Sequence, residues 1–581
     1  MADISFHHGT RVFESQETPV LIRTLQSAVI AHIGTAPDAD AEAFPLNKPI
    51  LLKGSAELSK LNLLGNAGTL KQSCDGAFDQ VGTYTYVLRV AEGVNLNATL
   101  ANLIGDRAAL TGVHALLKAE SLYGRKLKPR LVVVPGYTGS LASDGLASFN
   151  ITAGGLGYTT APNVHVYPAD ATKAVAAAAK PGMLGNGVLT LAAPAFDTRL
   201  VAGVYQVRCV TAAANGGVFN VIDPAGAVLG QATVGVAYTG PVKFTIADGS
   251  TDFVVGDTFN LTASITGGAG LGAELTALVN SGAVSQLVMK KPGFGYANGI
   301  HIAFSGGGGA AATAAGAAGT VGNPVVAELV SVLEKLRAVA LVDGPDTTDA
   351  AAVLWRETIN SDRIYPIDVK HLVFDTTLEA YVPQPASPRF AGVQARVDKQ
   401  YGFWWSLSNK PINGISGVSR PINYGDQSNY LNESHVNTTI NLGEGWITWG
   451  NRVATGIDLN KFLSVRRTMD FINEALEASY LEFVDKPFSL ANLKFMIESG
   501  NAFMNVLKAE GAILGGRVWL DPERNTNEEM AQGRVTLGVD FEPPAPMEDI
   551  RLIAHRQIRY YAELRERVLE EIREGALAFA A

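Results

Sequence analysis

Cysteine is nearly missing: Cys74 and Cys209 are the only two in 581 residues, and they lie far apart along the chain. A disulfide framework is excluded, and folding in a reducing compartment fits that usage. Charge is also scarce. Charged residues make up 17% and the formal net charge is −9, so the basic face needed for nonspecific nucleic-acid binding is lacking. No uninterrupted apolar run is long enough to span a bilayer, and the Ala/Gly stretch 306–319 is too short and too weakly apolar. The opening MADISFHH has no basic segment leading into an apolar core, so no secretory signal is read there. The expectation is a soluble chain without membrane insertion.

Catalytic signatures are missing as well. There is no G-x-x-x-x-G-K-[ST], and the glycines at 267–272 and 306–309 sit in a low-charge, β-rich context that marks turns and not phosphate cradles. No G-x-S-x-G elbow occurs. The nine histidines are scattered, without H-E-x-x-H or C-x-x-C company; adjacent His7 and His8 read as part of a surface arm before they read as metal ligands. Glu528-Glu529 and Glu570-Glu571 stand in charged, solvated segments that do not raise a carboxyl pKa. No catalytic residue, cofactor-binding residue, cofactor or metal ligand is assigned, and the chain is not read as an enzyme.

What is present is apolar and glycine-rich: 47% hydrophobic residues and 61 glycines, the composition of a folded protein with many tight turns. Its length allows several domains. Between Val20 and Pro135 strand and helix signals alternate: Ala28–Gly34, Tyr84–Val90 and Arg130–Val134 read as strands, and 56–63, 68–80 and 108–122 have helical spacing. At Gly136 the style shifts to Gly, Ala, Thr and Val, and it holds to about residue 323. Inside lies a repeat, Gly155-Leu156-Gly157-Tyr158 before VHV and Gly293-Phe294-Gly295-Tyr296 before IHIAF, each read as a hairpin with glycine supplying positive φ. Short strands across 187–266 predict a small β-sandwich or barrel. After Asn323-Pro324 the earlier style returns, with helices at 325–337 and 347–357 and strands at 338–342 and 371–374. The simplest account is one α/β domain interrupted at a surface turn.

Residues 383–455 concentrate Phe403, Trp404, Trp405, Trp446 and Trp449 among prolines, glycines and asparagines. The expectation is a rigid, loop-built platform with little regular structure, either a binding surface or a packed loop core. Two helices follow, the first capped by Asp458 with Phe462, Val465, Met469, Ile472 and Leu476 on its apolar side. The second is capped by Ser489, with Leu493, Met496, Phe503, Val506 and Leu507, and Gly511 ends it. Strands are predicted at 518–520, 534–541 and 549–554, and a charged helix over about 557–577, read as a solvated face of i, i+4 pairs or a partner-binding helix. At the other end Ile4, Phe6, Val12 and Phe13 alternate with polar neighbours. A strand so short is stable only when paired, on its own domain or on another subunit.

Motif order carries a resemblance. AGVQARVDKQYGFWWSLSN, then INGISGV, then LNESHVNTTINLGEGWITWGNRV, resembles the core of contractile-phage tail sheath proteins, and FHHGTRVFESQETPVLIRTLQSAVIAHIGTAPDADAEAFPLNKPILL resembles the start of the P2-type sheath. The match covers roughly 1–135 and 324–555 and omits the middle. It implies α/β (α+β mixed-sheet) core domains with an inserted all-β domain and extended N- and C-terminal arms. The division is 1–20 arm, 21–135 plus 324–382 α/β domain, 136–323 insertion, 383–548 C-terminal core, and 549–581 arm strand with terminal helix. It implies a structural subunit of the virion tail, assembled in the bacterial host cytoplasm, that polymerises helically with itself around the tail tube. Contraction would drive the tube through the host envelope for genome ejection. Implied partners are the tube, baseplate and tail terminator proteins, without nucleic acid. Arm strands Ile4, Phe6, Val12, Phe13, Ile550, Leu552 and Ala554 would exchange between subunits, and Arg452, Arg466, Arg467 and Glu474 would touch tube or neighbour. A sheath from a phage-derived bacteriocin or another injection system is the alternative. So is a host-glycan binder using Tyr158, Tyr205, Tyr238 and Tyr296 of the insertion.

Overall fold

The computed structural model describes residues 26–579 except residue 377. At the centre is a six-stranded sheet in the order Pro49–Lys53, Tyr84–Val90, Ile30–Thr35, Leu131–Val133, Val339–Asp343 and Ile364–Ile367. The ladders are parallel except at the Pro49–Lys53 edge. Side chains along a strand alternate between faces, and here both faces are covered, which is why these strands read as unbroken apolar runs. Ala31, Ile33, Val132, Val134, Ala340 and Val342 face one layer, packed with Leu329, Val332 and Leu333 of helix Pro324–Leu336. Ile30, Leu131, Val133, Val339 and Leu341 face the other, against Phe390, Val393 and Val397.

That second layer overturns one expectation. The first part of the supposed loop platform is helix Ser387–Tyr401, with Pro388 in its first turn and Gly402 (φ 105°) at its end. Ten of its residues are buried, among them Arg389 and Gln394, so its apolar stripe is broken by polar groups that are buried and hydrogen-bonded. That mixture hid the helical period. The aromatic region beyond it is looped, apart from helix Asp426–Glu433 and hairpin Thr438–Asn441/Trp446–Trp449. The 108–122 stretch also differs: Leu110 (φ 52°) and Gly112 (φ 56°) are left-handed, leaving a 3₁₀ turn Gly112–Leu117 and a short helix Lys118–Tyr123. The strand expected at 371–374 forms as Lys370–Asp375, but in a separate three-stranded sheet with Ala380–Pro385 and Gly417–Val418.

Strands from Ala142 to Val321 form sheets of their own, so the fold is an α/β mixed-sheet core with an inserted all-β part. Within it, a five-stranded and a three-stranded sheet enclose Tyr205, Val207, Phe219, Phe244, Phe253 and Phe259 as a sandwich. The Gly-x-Gly-Tyr repeats are not hairpins. Ala142–Leu156 pairs with Ala310–Val321, Ala283–Phe294 pairs with Leu271–Asn280, and the strands that follow each repeat, Asn163–Pro168 and Ile300–Ser305, pair with one another. Each repeat is a corner, with Gly155, Gly157, Gly293 and Gly295 at φ 61–81°. A Cβ on Gly293 would meet the backbone of Ala273 at 2.5 Å.

Asn323 stands where the insertion returns. Its Oδ1 accepts from the N–H of Val325 (2.9 Å) and Val326 (3.1 Å), capping the helix, while Nδ2 donates to the carbonyls of Tyr137 (3.0 Å) and Ser140 (2.9 Å).

Downstream, helix Leu463–Tyr480 begins after Phe462 without a side-chain cap; Asp458 lies in a separate 3₁₀ turn, Asp458–Asn460, and does not cap it. Ser489 does cap helix Leu490–Glu510, accepting from Asn492 N–H at 3.1 Å, and Gly511 (φ 81°) closes it. On that helix Met504 is buried and Val506 exposed, a shift of the expected apolar face. Gly515–Leu520 and Leu537–Glu542 form an antiparallel pair against it. Residues 545–581 form a separate compact unit, an irregular stretch followed by helix Tyr560–Phe579.

Candidate assembly surface and the charged seam behind it

The Gly515–Leu520/Leu537–Glu542 hairpin is a two-stranded sheet, so its outer edges carry no further strand among the described residues. The two edges differ. Val518 turns its N–H and carbonyl outward, and both are taken by the Asn501 side chain of the helix behind, at 2.8 Å each. Val518 faces Val539 in the ladder. Opposed residues in an antiparallel pair turn their backbone groups either toward each other or away together, so Val539 also turns its N–H and carbonyl outward. One edge is sealed by an amide; the other is open.

In the unit 545–581, the Asp549–Ala554 segment forms no strand, contrary to the expectation for a single chain. A ladder needs a partner, and none of its backbone is paired in any sheet of the described residues. Ile550 is 71% exposed and Leu552 91%, and Ala554 is exposed too. Pro543, Pro544 and Pro546 precede it and hold the chain extended. Ile4, Phe6, Val12 and Phe13 lie outside the described residues, as do His7 and His8. The terminal helix leaves Tyr561, Leu564, Val568 and Ile572 exposed.

The hairpin body is fixed to the central domain through charge. From helix Leu463–Tyr480, Arg466 and Asp470 meet Asp362 and Arg363, with Arg363 donating to both oxygens of Asp470 (2.6 and 2.9 Å). Glu474 takes Lys128 (3.2 Å) and Arg130, and Glu477 takes Arg125 (3.4 Å) and Arg337 (2.6 Å). Burial pulls the Lys128 ammonium below its usual range, and Glu474 opposes that. Arg467 is 6% and Asp398 1% exposed in their side chains, joined at 2.6 and 2.8 Å. Arg466, Arg467 and Glu474 are therefore internal ties, not the outward contacts expected of them, and Arg452 donates to the Asn432 carbonyl. Asp470, Glu474 and Glu477 fall at i, i+4 and i+7, so the acidic stripe was present in the sequence, masked by its resemblance to solvated charge.

A second chain of charge crosses into the insertion. His114 Nε2 lies 2.7 Å from Glu328, whose other oxygen holds Lys291 at 2.6 Å, and Lys291 also reaches Glu274 at 3.0 Å. Burial raises the Glu328 pKa, but His114 and Lys291 outweigh it and hold the carboxyl below its usual range. Phe294 from the insertion enters the central core.

The tyrosines considered for sugar stacking are mostly core: Tyr158 is 5%, Tyr205 1% and Tyr296 1% exposed, and Tyr238 stacks on Phe244 at 5.2 Å. Cys74 and Cys209 are buried and free. Among the described residues no His, Cys, Asp or Glu cluster has metal-site geometry, and no helix is long and apolar enough to cross a membrane.

Two family models match this region: the phage tail sheath protein central domain over residues 310–454, and the phage tail sheath C-terminal domain over residues 459–554. The chain carries segments that match the central and C-terminal domains of phage tail sheath proteins. It is 22% identical to the tail sheath protein of Escherichia phage P2, with 96% of this chain and 98% of that protein covered. It is 40% identical to the tail sheath protein of Burkholderia phage BcepMu over 246 residues, 39% of this chain, and spans about half (51%) of that relative's length. Among solved structures it shares the fold of the anti-feeding prophage helical sheath in its contracted state, with TM-score 0.50, 13% identity, and 95% of this chain and all (100%) of that one covered. The matched segments include helix Leu463–Tyr480 and the hairpin but not Arg125, Lys128 and Arg130 of the seam, and the second model ends at Ala554, before the terminal helix.

Proposed function

We propose that this chain is the structural subunit of a contractile tail sheath, a helical homopolymer around a tail tube whose collapse drives that tube through a host envelope. The observation that carries the reading is a complementary pair within one chain: a hairpin with an open edge at Val539, and an unpaired, strand-length segment at Asp549–Ala554. Placed on neighbouring copies, the two complete one sheet. A head-to-tail contact of this kind does not close on itself and so grows a filament. Ile4–Phe13 supplies the second arm, and the inserted β part faces outward. The tail tube, tail terminator and baseplate are its partners, and the virion tail, built in host cytoplasm, is its location. The work is mechanical: the extended polymer is assembled in a metastable state, so no enzymatic step is assigned to the chain.

Each backbone bond made by an arm contributes about 0.5–1.5 kcal/mol, and a buried Leu or Ile about 1.5–3 kcal/mol. A handful of each holds subunits together while the proline-rich linker bends. The purified protein is expected to form tubes in negative-stain microscopy. Deleting residues 1–14 should leave a folded monomer that forms none. Tubes formed by the deletion would refute the N-terminal arm.

A further inference from the structure

At Ser27 the chain enters the central sheet, and its carbonyl is held there by a side chain from the other end of the sequence. Arg467 Nη2 donates to Ser27 O at 3.1 Å and to Asp398 Oδ2 at 2.6 Å, while Nη1 donates to Asp398 Oδ1 at 2.8 Å and Phe403 O at 3.4 Å. All four terminal N–H groups of the guanidinium are engaged, in a pair that is almost wholly buried. Asp398 is itself set by Gln394, whose Nε2 donates at 2.8 Å. We infer that Arg467 is a positioning residue that anchors the root of the N-terminal arm to the C-terminal helical body, so that tension in the arm loads this ion pair and not the end of the central sheet.

The inference rests on the assembly reading above, and the geometry gives it direction. Arg467 lies on helix Leu463–Tyr480, and the same helix sends Phe471, Ile472, Ala475 and Leu476 into the core shared with Phe503, Leu507 and Val518 of the hairpin body. One helix thus holds both the point where an arm departs and the body whose edge receives a neighbour's arm. Without the anchor, a pull on Ser27 would act on the first ladder bonds of the sheet, where Arg130 N–H donates to Val29 O at 2.9 Å. Only a planar fork serves two carbonyls and a bidentate carboxylate at once; an ammonium concentrates its donors at one point.

The test uses the full chain with Arg467→Lys, which keeps the charge and loses the fork; Arg467→Ala is its harsher companion. Hydrogen exchange on the monomer is expected to quicken about tenfold at residues 28–30, the loss of roughly one charged hydrogen bond, with other protected amides unchanged. Tubes of Arg467→Lys should assemble and then fragment on contraction, while parent tubes stay whole. Parental exchange and intact contracted tubes in Arg467→Lys would overturn the anchor. So would global unfolding of Arg467→Lys, since the pair would then be a general prop. If the parent itself forms no tubes, it is the assembly reading that fails.

Discussion

Single side chains settle how the charged seam behaves. Glu474 neutralises Lys128 and Arg130 in a site where both are under 9% exposed. Glu474→Ala leaves two buried cations facing each other, and removing one partner of a buried pair costs about 3–5 kcal/mol. Urea denaturation should read that loss, against less than about 1 kcal/mol for Glu482→Ala in an exposed pair. Asp343 carries a different signal. Burial raises its pKa to about 6, against the usual 3.8, although Ser387 donates to it through N–H (2.8 Å) and Oγ (2.6 Å). A carboxyl with a raised folded-state pKa stabilises the fold below its unfolded value and loses that contribution as pH climbs through the folded one. The stability difference between parent and Asp343→Asn should therefore fall by about 2 kcal/mol from pH 4 to pH 6, and a flat difference would show that the carboxyl is not buried as described. His32 and His371 add the opposite slope. Burial lowers each to about 3, so both stay neutral in the fold and oppose folding as pH drops below 6.5.

At the level of elements, the hairpin edge makes the assembly reading specific. Val539→Pro removes an outward N–H without touching the bonds between Gly515–Leu520 and Leu537–Glu542. The expected product is a folded monomer by circular dichroism that forms no tubes, whereas Val539→Ala should still polymerise. Tubes from the proline variant would show that arms add elsewhere. The elements also show where sequence reasoning reached. Val132, Val133 and Val134, or Tyr86, Val87 and Leu88, announce a strand buried on both faces, and the Ser489 and Gly511 caps bound their helix by local chemistry alone. Ser387–Tyr401 was hidden because Arg389 and Asp398 are buried there by partners from distant segments, and Gln394 by Asp398 of its own helix. The Gly-x-Gly-Tyr corners were misjudged for a related reason. Positive φ is a local property, but which strand meets which depends on the opposite copy of the repeat. Ile550–Ala554 was legible as a strand pattern, and it pairs with no strand among the described residues.

The whole molecule divides its labour. The central sheet and C-terminal helical body are tied by the buried pairs of the seam, while the inserted sheets are attached through Phe294, Glu328–Lys291 and Asn323. Replacing 137–322 by a short linker is expected to lower the melting temperature, because the core loses Phe294 and Glu328 loses Lys291, yet to leave tube formation intact. A product that is soluble and monomeric but never polymerises would assign the inserted sheets a part in assembly.

Asn323 brings the departing and returning ends of the inserted sheets to one side chain. A graft at this point needs only a module whose two ends lie close together. The inserted sheets are then free to vary in bulk, charge and adhesiveness while the domain that carries them keeps its dimensions.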